Sequence, residues 1–259
     1  MLEIPGRMQV TLVSYYGEKS GKVLEFIRCC QDELSRLLLS AFRPYEVEQV
    51  HATIIGLEGC RLGGKIRNEN FGTFYQEERF MSAGELLDFL RSNDFPSFDI
   101  RIGGYRHHED YGFLSQSRHP YLRSFSVQGS IAVAMGWPYD EEQYSDVLER
   151  LRRRFNELNI LHRWHRKPSD EDNDFYFVLG RVDRRFVSDI QIKQVEEQMR
   201  LFLTGVNDLK IPVTKDALSI VGFLDTQLPP QTSVSFKIGD AELTESRLLK
   251  LYPTCEGAA

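Results

Sequence analysis

In the run Val50-His51-Ala52-Thr53-Ile54-Ile55-Gly56, an imidazole and a hydroxyl stand two residues apart in an apolar segment. Side chains alternate along a strand, so a strand over residues 49–57 puts His51 and Thr53 on one face. Imidazole moves protons near neutral pH, and a threonine hydroxyl beside it can hold a phosphate oxygen. Cleaving a phosphodiester asks for two such groups. One takes a proton from the nucleophile and one returns a proton to the leaving oxygen, each contributing roughly 10²–10⁴-fold. The chain must therefore supply a second group from another element.

Other segments carry chemical side chains with plainer alternatives. Gly17-Glu18-Lys19-Ser20-Gly21-Lys22-Val23 lies between a predicted strand and a predicted helix, as a phosphate-cradling P-loop does. It has three residues between its glycines instead of four, and Val23 stands where a magnesium-binding hydroxyl is required, which favours a polar turn. His107-His108-Glu109-Asp110 has metal-ligand residue types, but adjacent ligands do not converge easily on one ion, which favours a solvated loop. The segment Arg150 to Lys167 gathers Arg152, Arg153, Arg154, Arg163 and Arg166 with His162 and His165 around Trp164. Cations around an aromatic can track a phosphate backbone and stack a base. The alternative is a solvated helix face opposite Leu151 and Phe155. In Arg118–Ser126, Arg123 and Ser126 are either ligand contacts or turn residues.

The elements that must position these groups follow from periodicity. Strands are predicted over 8–16, 49–57, 98–102, 125–135 and 175–179, the last closed by Gly180-Arg181, and then over 217–224 and 232–238. Helices are predicted from a Ser20 cap to Leu39, over 83–91 with a Ser82 cap and Glu85 three residues on, over 140–158 and over 187–204. Residues 58–80 and 105–124 read as loops, and 253–259 as a frayed, disordered tail. Strand, helix and motif strand recur in order, so residues 1–252 read as one bilobal domain of two related α+β halves. Their central strands, 49–57 and 175–181, would meet in a cleft.

Composition narrows the class. The 259 residues are 41% hydrophobic with a net charge of −6, enough apolar content for a core and the wrong sign for sequence-blind coating of nucleic acid. No run approaches the roughly 20 apolar residues of a membrane span, and Met1-Leu2-Glu3-Ile4-Pro5 does not read as a signal peptide. Cys29, Cys30, Cys60 and Cys255 have no Cys-x-x-Cys spacing. That suits neither a disulfide framework nor a zinc site and points to a reducing cytoplasm.

In its order of elements and in Val50–Gly56, the chain resembles the two-histidine (2H) phosphoesterase superfamily, which includes bacterial RNA 2′,3′-cyclic phosphodiesterases. The likeness in element order spans most of residues 8–224, and the specific residue match lies in the one motif. It implies an α+β fold of two related lobes, each an antiparallel sheet with flanking helices, around a central cleft. It also implies two His-x-Thr/Ser motifs facing each other across that cleft, one histidine acting as base and the other as acid, with no metal and no cofactor.

The second motif departs from this pattern. Matching Leu179-Gly180-Arg181 to the family's closing Leu-Gly-Arg puts Tyr176 at the histidine position and Val178 at the hydroxyl position. Ala217-Leu218-Ser219-Ile220-Val221-Gly222 copies the first motif but carries Ala217 in the histidine's place. Tyr176 is then a candidate proton donor, though a poor base with an ordinary pKa of about 10. His119, His162 and His165 are the histidines that loops could bring instead. The sequence thus leads to a protein acting on a cyclic phosphate, a cyclic nucleotide or an RNA terminus. His51, Thr53 and Tyr176 are its catalytic candidates, and Arg123, Ser126, Arg181 and Ser219 its substrate contacts, with a nucleotide or RNA 3′-end as partner. The alternatives are a nucleotide-binding module without turnover, or a protein-interaction scaffold with a vestigial cleft.

Overall fold

The computed structural model describes residues 8–19, 21–206 and 209–255. The first part of the chain runs β1 (Gln9–Ser14), α1 (Gly21–Leu38), β2 (Phe42–Pro44), β3 (Ala52–Gly56), β4 (Gly59–Leu62), β5 (Lys65–Asn68), β6 (Phe80–Met81), α2 (Ala83–Arg91) and β7 (Phe98–Ile102). It continues through α3 (Pro120–Arg123), β8 (Phe125–Gln128), β9 (Ile131–Asp140), β10 (Gln143–Tyr144), α4 (Val147–Arg154) and β11 (Phe175–Val182). The last elements are α5 (Asp189–Gly205), β12 (Leu209–Val213), β13 (Leu218–Phe223), β14 (Val234–Lys237) and α6 (Glu245–Lys250).

Strand order is β14-β13-β1-β3 in one sheet and β12-β7-β9-β11-β2 in another, with β8 and β10 also paired to β9. A small third sheet is β4-β5-β6. Neighbouring strands are antiparallel throughout. The class is α+β, curled antiparallel sheets with flanking helices, as the alternation of apolar periods two and 3.6 predicts. Strand, helix, strand, strand occurs twice, as β1-α1-β2-β3 and β11-α5-β12-β13. One apolar cluster contains Leu12, Ile27, Ile55, Phe177 and Ile220, so it runs through both large sheets and α1. The two sheets approach where β3 lies beside β11.

Several elements depart from the sequence expectations, each for a local reason. His51 lies just before β3, not within it, because residues 47–49 form a 3₁₀ turn that delays the strand. Residues 58–80 are not a loop. Gly63 and Gly64, at φ +56° and +79°, supply the tight turn that folds β4 onto β5. Ser82 occupies the N-cap of α2 without a side-chain capping bond, and the Ser20 cap lies outside the described residues. The strand expected over 125–135 is a hairpin, turning at Gly129, whose second arm runs on through Gly136-Trp137-Pro138. Pro138 lies beyond the end of β11, which stops opposite Gly136, and its carbonyl accepts from Ser145 N at 2.9 Å, a bond that needs no proline N–H. A Cβ at Gly136 would sit 2.4 Å from the Arg101 carbonyl oxygen, so glycine lets β7 pass there. Residue 140 ends β9, residues 141–146 form β10 and its turns, and the helix starts only at Val147.

The C-terminal segment is also pinned, not frayed, as far as residue 255. Thr254 bridges Arg61, and Cys255 is disulfide-bonded to Cys60 across 195 residues of sequence. The expectation of no disulfide fails because this single long-range pair leaves no spacing signature; Cys29 and Cys30 stay free. Among the described residues, no helix is long and apolar enough to cross a membrane.

One buried cation joins the two sheets. Arg152 of α4 is 1% exposed. Its guanidinium donates to the carbonyls of Ile54 (2.8 Å) and Thr53 (3.1 Å) on β3, and to those of Asp172 (2.8 Å) and Asp174 (3.2 Å) at the entry to β11. It also pairs with the Asp172 carboxylate at 3.2 Å. The β3 acceptors are exposed to it by a bulge. Thr53 and Ile55 oppose Val13 and Leu12, leaving Ile54 as the extra residue. Removing one partner of such a set leaves a buried charge and several carbonyls unsatisfied, at a cost of about 3–5 kcal/mol. Arg152→Met is therefore expected to lower the unfolding free energy by about that amount in chemical denaturation; a loss under about 1 kcal/mol would contradict the role.

Candidate functional site

The bulged β3, the start of β11 and the loop after α4 enclose a cavity of about 160 Å³. His51, Thr53 and Tyr176 all line it. So do Glu58, Arg152, His162, Arg163, Trp164 and Asp172, with Phe223 and Leu228 also in its wall.

His51 is held by backbone geometry. Its Nδ1 lies 2.7 Å from the Gln49 carbonyl oxygen, which can only accept, so Nδ1 carries the proton and Nε2 keeps a lone pair. The Tyr16 ring packs edge-on against it at 5.9 Å between centroids, and the Tyr16 hydroxyl is fixed by donation to Leu228. Burial, with the Lys19 charge adding to it, lowers the His51 pKa to about 4. The ring is neutral at pH 7.

The group that sequence alignment sought on a strand comes from a loop. His162, 3% exposed, enters the same cavity from the segment after α4. Its Nε2 is 2.8 Å from Asp172 Oδ2, while its buried Nδ1 has no hydrogen-bond partner among the described residues. The Arg152 guanidinium holds the Asp172 carboxyl far below the usual carboxylate range, so Asp172 accepts and His162 Nε2 donates. Burial, reinforced by Arg152, also lowers the His162 pKa to about 4. A dyad of this type sets the imidazole's tautomer and supports a positive charge on it when one forms. The neighbouring His165, packed edge-on at 5.0 Å, is bound instead to Glu149 at 2.9 Å.

Tyr176 stands on β11 opposite Met135. Burial raises its phenol pKa, so it stays protonated and can donate but not act as base. Glu58 folds back over Gly56, where an added Cβ would lie 2.4 Å from its carboxylate oxygens, and Asn70 Nδ2 donates to it at 3.1 Å. Burial raises the Glu58 pKa against the pull of Arg163.

The remaining sequence candidates lie elsewhere. Arg123 is consumed by Asp174 at 2.5 Å and by Ser115 Oγ, beneath Trp137, whose Nε1 donates to the same aspartate. Ser126 sits on β8 and accepts from Gln128. Arg181 is exposed and donates to Ser130 at 3.2 Å. Ser219 and Thr53 are both partners of Val13, so they share a sheet face, but Ser219 is two strands away and does not line the cavity. The Lys19 amine donates to the Gly17 and Val47 carbonyls, which answers the P-loop question in favour of a turn. His119 bonds to the Glu109 carbonyl, away from the cavity. Among the described residues, no group of three His, Cys, Asp or Glu side chains is arranged to hold a metal ion.

Sequence reasoning missed Glu58 and the pairing of His162 with Asp172, and it placed Arg152 in a basic patch without its role as a buried tie between the sheets. The signal for that pairing was weak: two polar residues ten apart, inside a segment without periodicity.

No protein-family model matches the chain, and no curated protein matches it. Among solved structures it is similar to TT0787 of Thermus thermophilus, at 15% identity over 88% of this chain and 93% of that one, with a TM-score of 0.40. It is also similar to ATU0111, a conserved protein of unknown function from Agrobacterium tumefaciens str. C58, at 12% identity over 85% and 82% of the two chains, with a TM-score of 0.43. Likeness at this level adds nothing to the reading of the site.

Proposed function

We propose that the chain is a phosphodiesterase of the two-histidine type acting on a ribose cyclic phosphate, in a nucleotide or at an RNA end. The observation that carries this reading is that two imidazoles, His51 and His162, line one small cavity together with a hydroxyl and a guanidinium. His51 Nε2 takes a proton from water as it attacks phosphorus. The P–O bond to the leaving ribose oxygen breaks, and His162, once protonated, returns a proton to that oxygen, giving a nucleoside monophosphate. Thr53 and Arg163 hold the non-bridging oxygens, and the Tyr176 phenol donates to the same phosphoryl group.

Both imidazoles are neutral in the free cavity, so the acid form of His162 must arise on binding. An anionic phosphate beside a buried imidazole favours its charged form, and the Asp172 carboxylate behind it does the same. A binding module without turnover is the second reading, favoured by that same neutrality.

Hydrolysis of adenosine 2′,3′-cyclic phosphate tests the proposal. His51→Gln and His162→Gln are each expected to lower kcat by about 10²-fold or more, while Ser126→Ala, remote from the cavity, leaves it unchanged. Binding without hydrolysis supports the second reading, and activity indifferent to both histidines defeats the first.

The pH profile has a definite sign. Both rings have free-state midpoints near 4. Between pH 7 and 5, the protonated fraction of His162 grows about tenfold per unit while His51 stays mostly unprotonated. The value of kcat/KM is therefore expected to climb as pH falls from 7 to 5, and an optimum at or above 7 contradicts the assignment.

A further inference from the structure

We infer that Trp164 is a stacking platform for the nucleobase attached to the reacting ribose, and that this base lies outside the cavity. The inference rests on the phosphodiesterase reading for the identity of the reacting group, but its own support is separate. The cavity, about 160 Å³, falls below the roughly 300–1,000 Å³ of pockets that engulf a whole small molecule, so it can take a phosphate and part of a sugar but not the base. Whatever base the substrate carries must rest at the mouth.

The mouth presents an indole. Trp164 lines the cavity yet is 48% exposed, whereas the chain's other tryptophan, Trp137, is fully buried. Its place is set by a short polar loop between His162, which enters the cavity, and His165, which is locked to Glu149. Two guanidiniums lie over the ring in cation–π range, Arg163 at 5.5 Å and Arg166 at 5.2 Å from its centroid. Neither is in close stack; the stacked pair Phe113 and Tyr144 stands at 3.8 Å between centroids. Both arginines are exposed, so a base stacking on the indole displaces one of them from the ring and leaves it on hand for the phosphate.

An exposed indole between arginines, beside a phosphate-sized cavity, is the combination that binds bases with little preference among them, since every base has a π-face. The specificity assigned is thus for a base-bearing ribose phosphate over a base-free phosphate, with tolerance among bases.

Intrinsic fluorescence separates this from its rivals, because the exposed indole is the one a base can quench. Adenosine 3′-monophosphate is expected to quench the wild-type protein. Trp164→Leu is expected to abolish the quench and weaken that nucleotide by roughly 5- to 150-fold in calorimetry, the range of one base–aromatic stack. Binding of inorganic phosphate is expected to be the same in both proteins, and Trp164→Phe should restore most of the nucleotide affinity. An oligonucleotide with a terminal 3′-phosphate binding more tightly than the mononucleotide identifies an RNA end as the source; equal binding identifies a free nucleotide.

Unchanged nucleotide affinity in Trp164→Leu overturns the inference, and so does equal loss of phosphate and nucleotide, which would mean that the indole only shapes the cavity. Absence of any nucleotide binding also overturns it. Because these are binding measurements, a failure of hydrolysis alone defeats the phosphodiesterase reading and leaves the platform standing.

Discussion

The guanidinium of Arg152 is the interaction on which the rest of the site depends. Two curled sheets brought side by side leave backbone carbonyls facing the seam, and buried carbonyls need donors. Arg152 offers a rigid fork of donors, meeting β3 on one side and the strand-entry residues 172–174 on the other. An ammonium, with three donors on one atom, could not span the same four carbonyls. The same contact fixes the Asp172 carboxylate in its charged form, and Asp172 in turn orients His162. The residue that joins the sheets thus also sets the tautomer of an imidazole in the cavity between them.

That coupling gives the site its character. His51 is positioned by its own backbone, through Gln49, and by the edge of Tyr16. His162 is positioned by a side chain that answers to Arg152. One imidazole is tied to the first sheet and the other to the seam, so their separation is governed by how the two sheets sit together. Both are desolvated enough to be neutral when the cavity holds no anion, which makes the site responsive to the charge of what enters it.

Much of the fold was legible because it rests on local signals. β-Branched and aromatic content marked β1, apolar period two marked β7, and period 3.6 marked α1 and α5, the latter opening on a Ser188–Gln191 capping box. What stayed hidden depends on contacts far apart in sequence. The Cys60–Cys255 bond joins residues 195 apart, and Ile54, which accepts from Arg152, is separated from it by 98 residues. Pattern matching also looked for the second histidine on a strand, at Tyr176 or Ala217, because a motif search preserves element type. The cavity takes its second imidazole from an aperiodic loop, where spacing carries no information. His51, Thr53 and Tyr176, drawn from one short motif and from the match of Leu179-Gly180-Arg181, come to line one cavity. Arg123, Ser126, Arg181 and Ser219 lie outside that cavity, since donors of phosphate-binding type serve equally well as internal ties.

The central claim is that His51 and His162 address the same phosphate. Its most direct test is a titration of the imidazole nitrogens of isotope-labelled protein by NMR, with and without saturating adenosine 3′-monophosphate. In the free protein, both rings are expected to titrate near 4. With the nucleotide bound, the His162 midpoint is expected to rise by at least one unit, with its new proton on Nδ1, and His51 Nε2 should shift as well. If neither ring responds, or if only one of them does, the two histidines do not share a phosphate and the account is wrong.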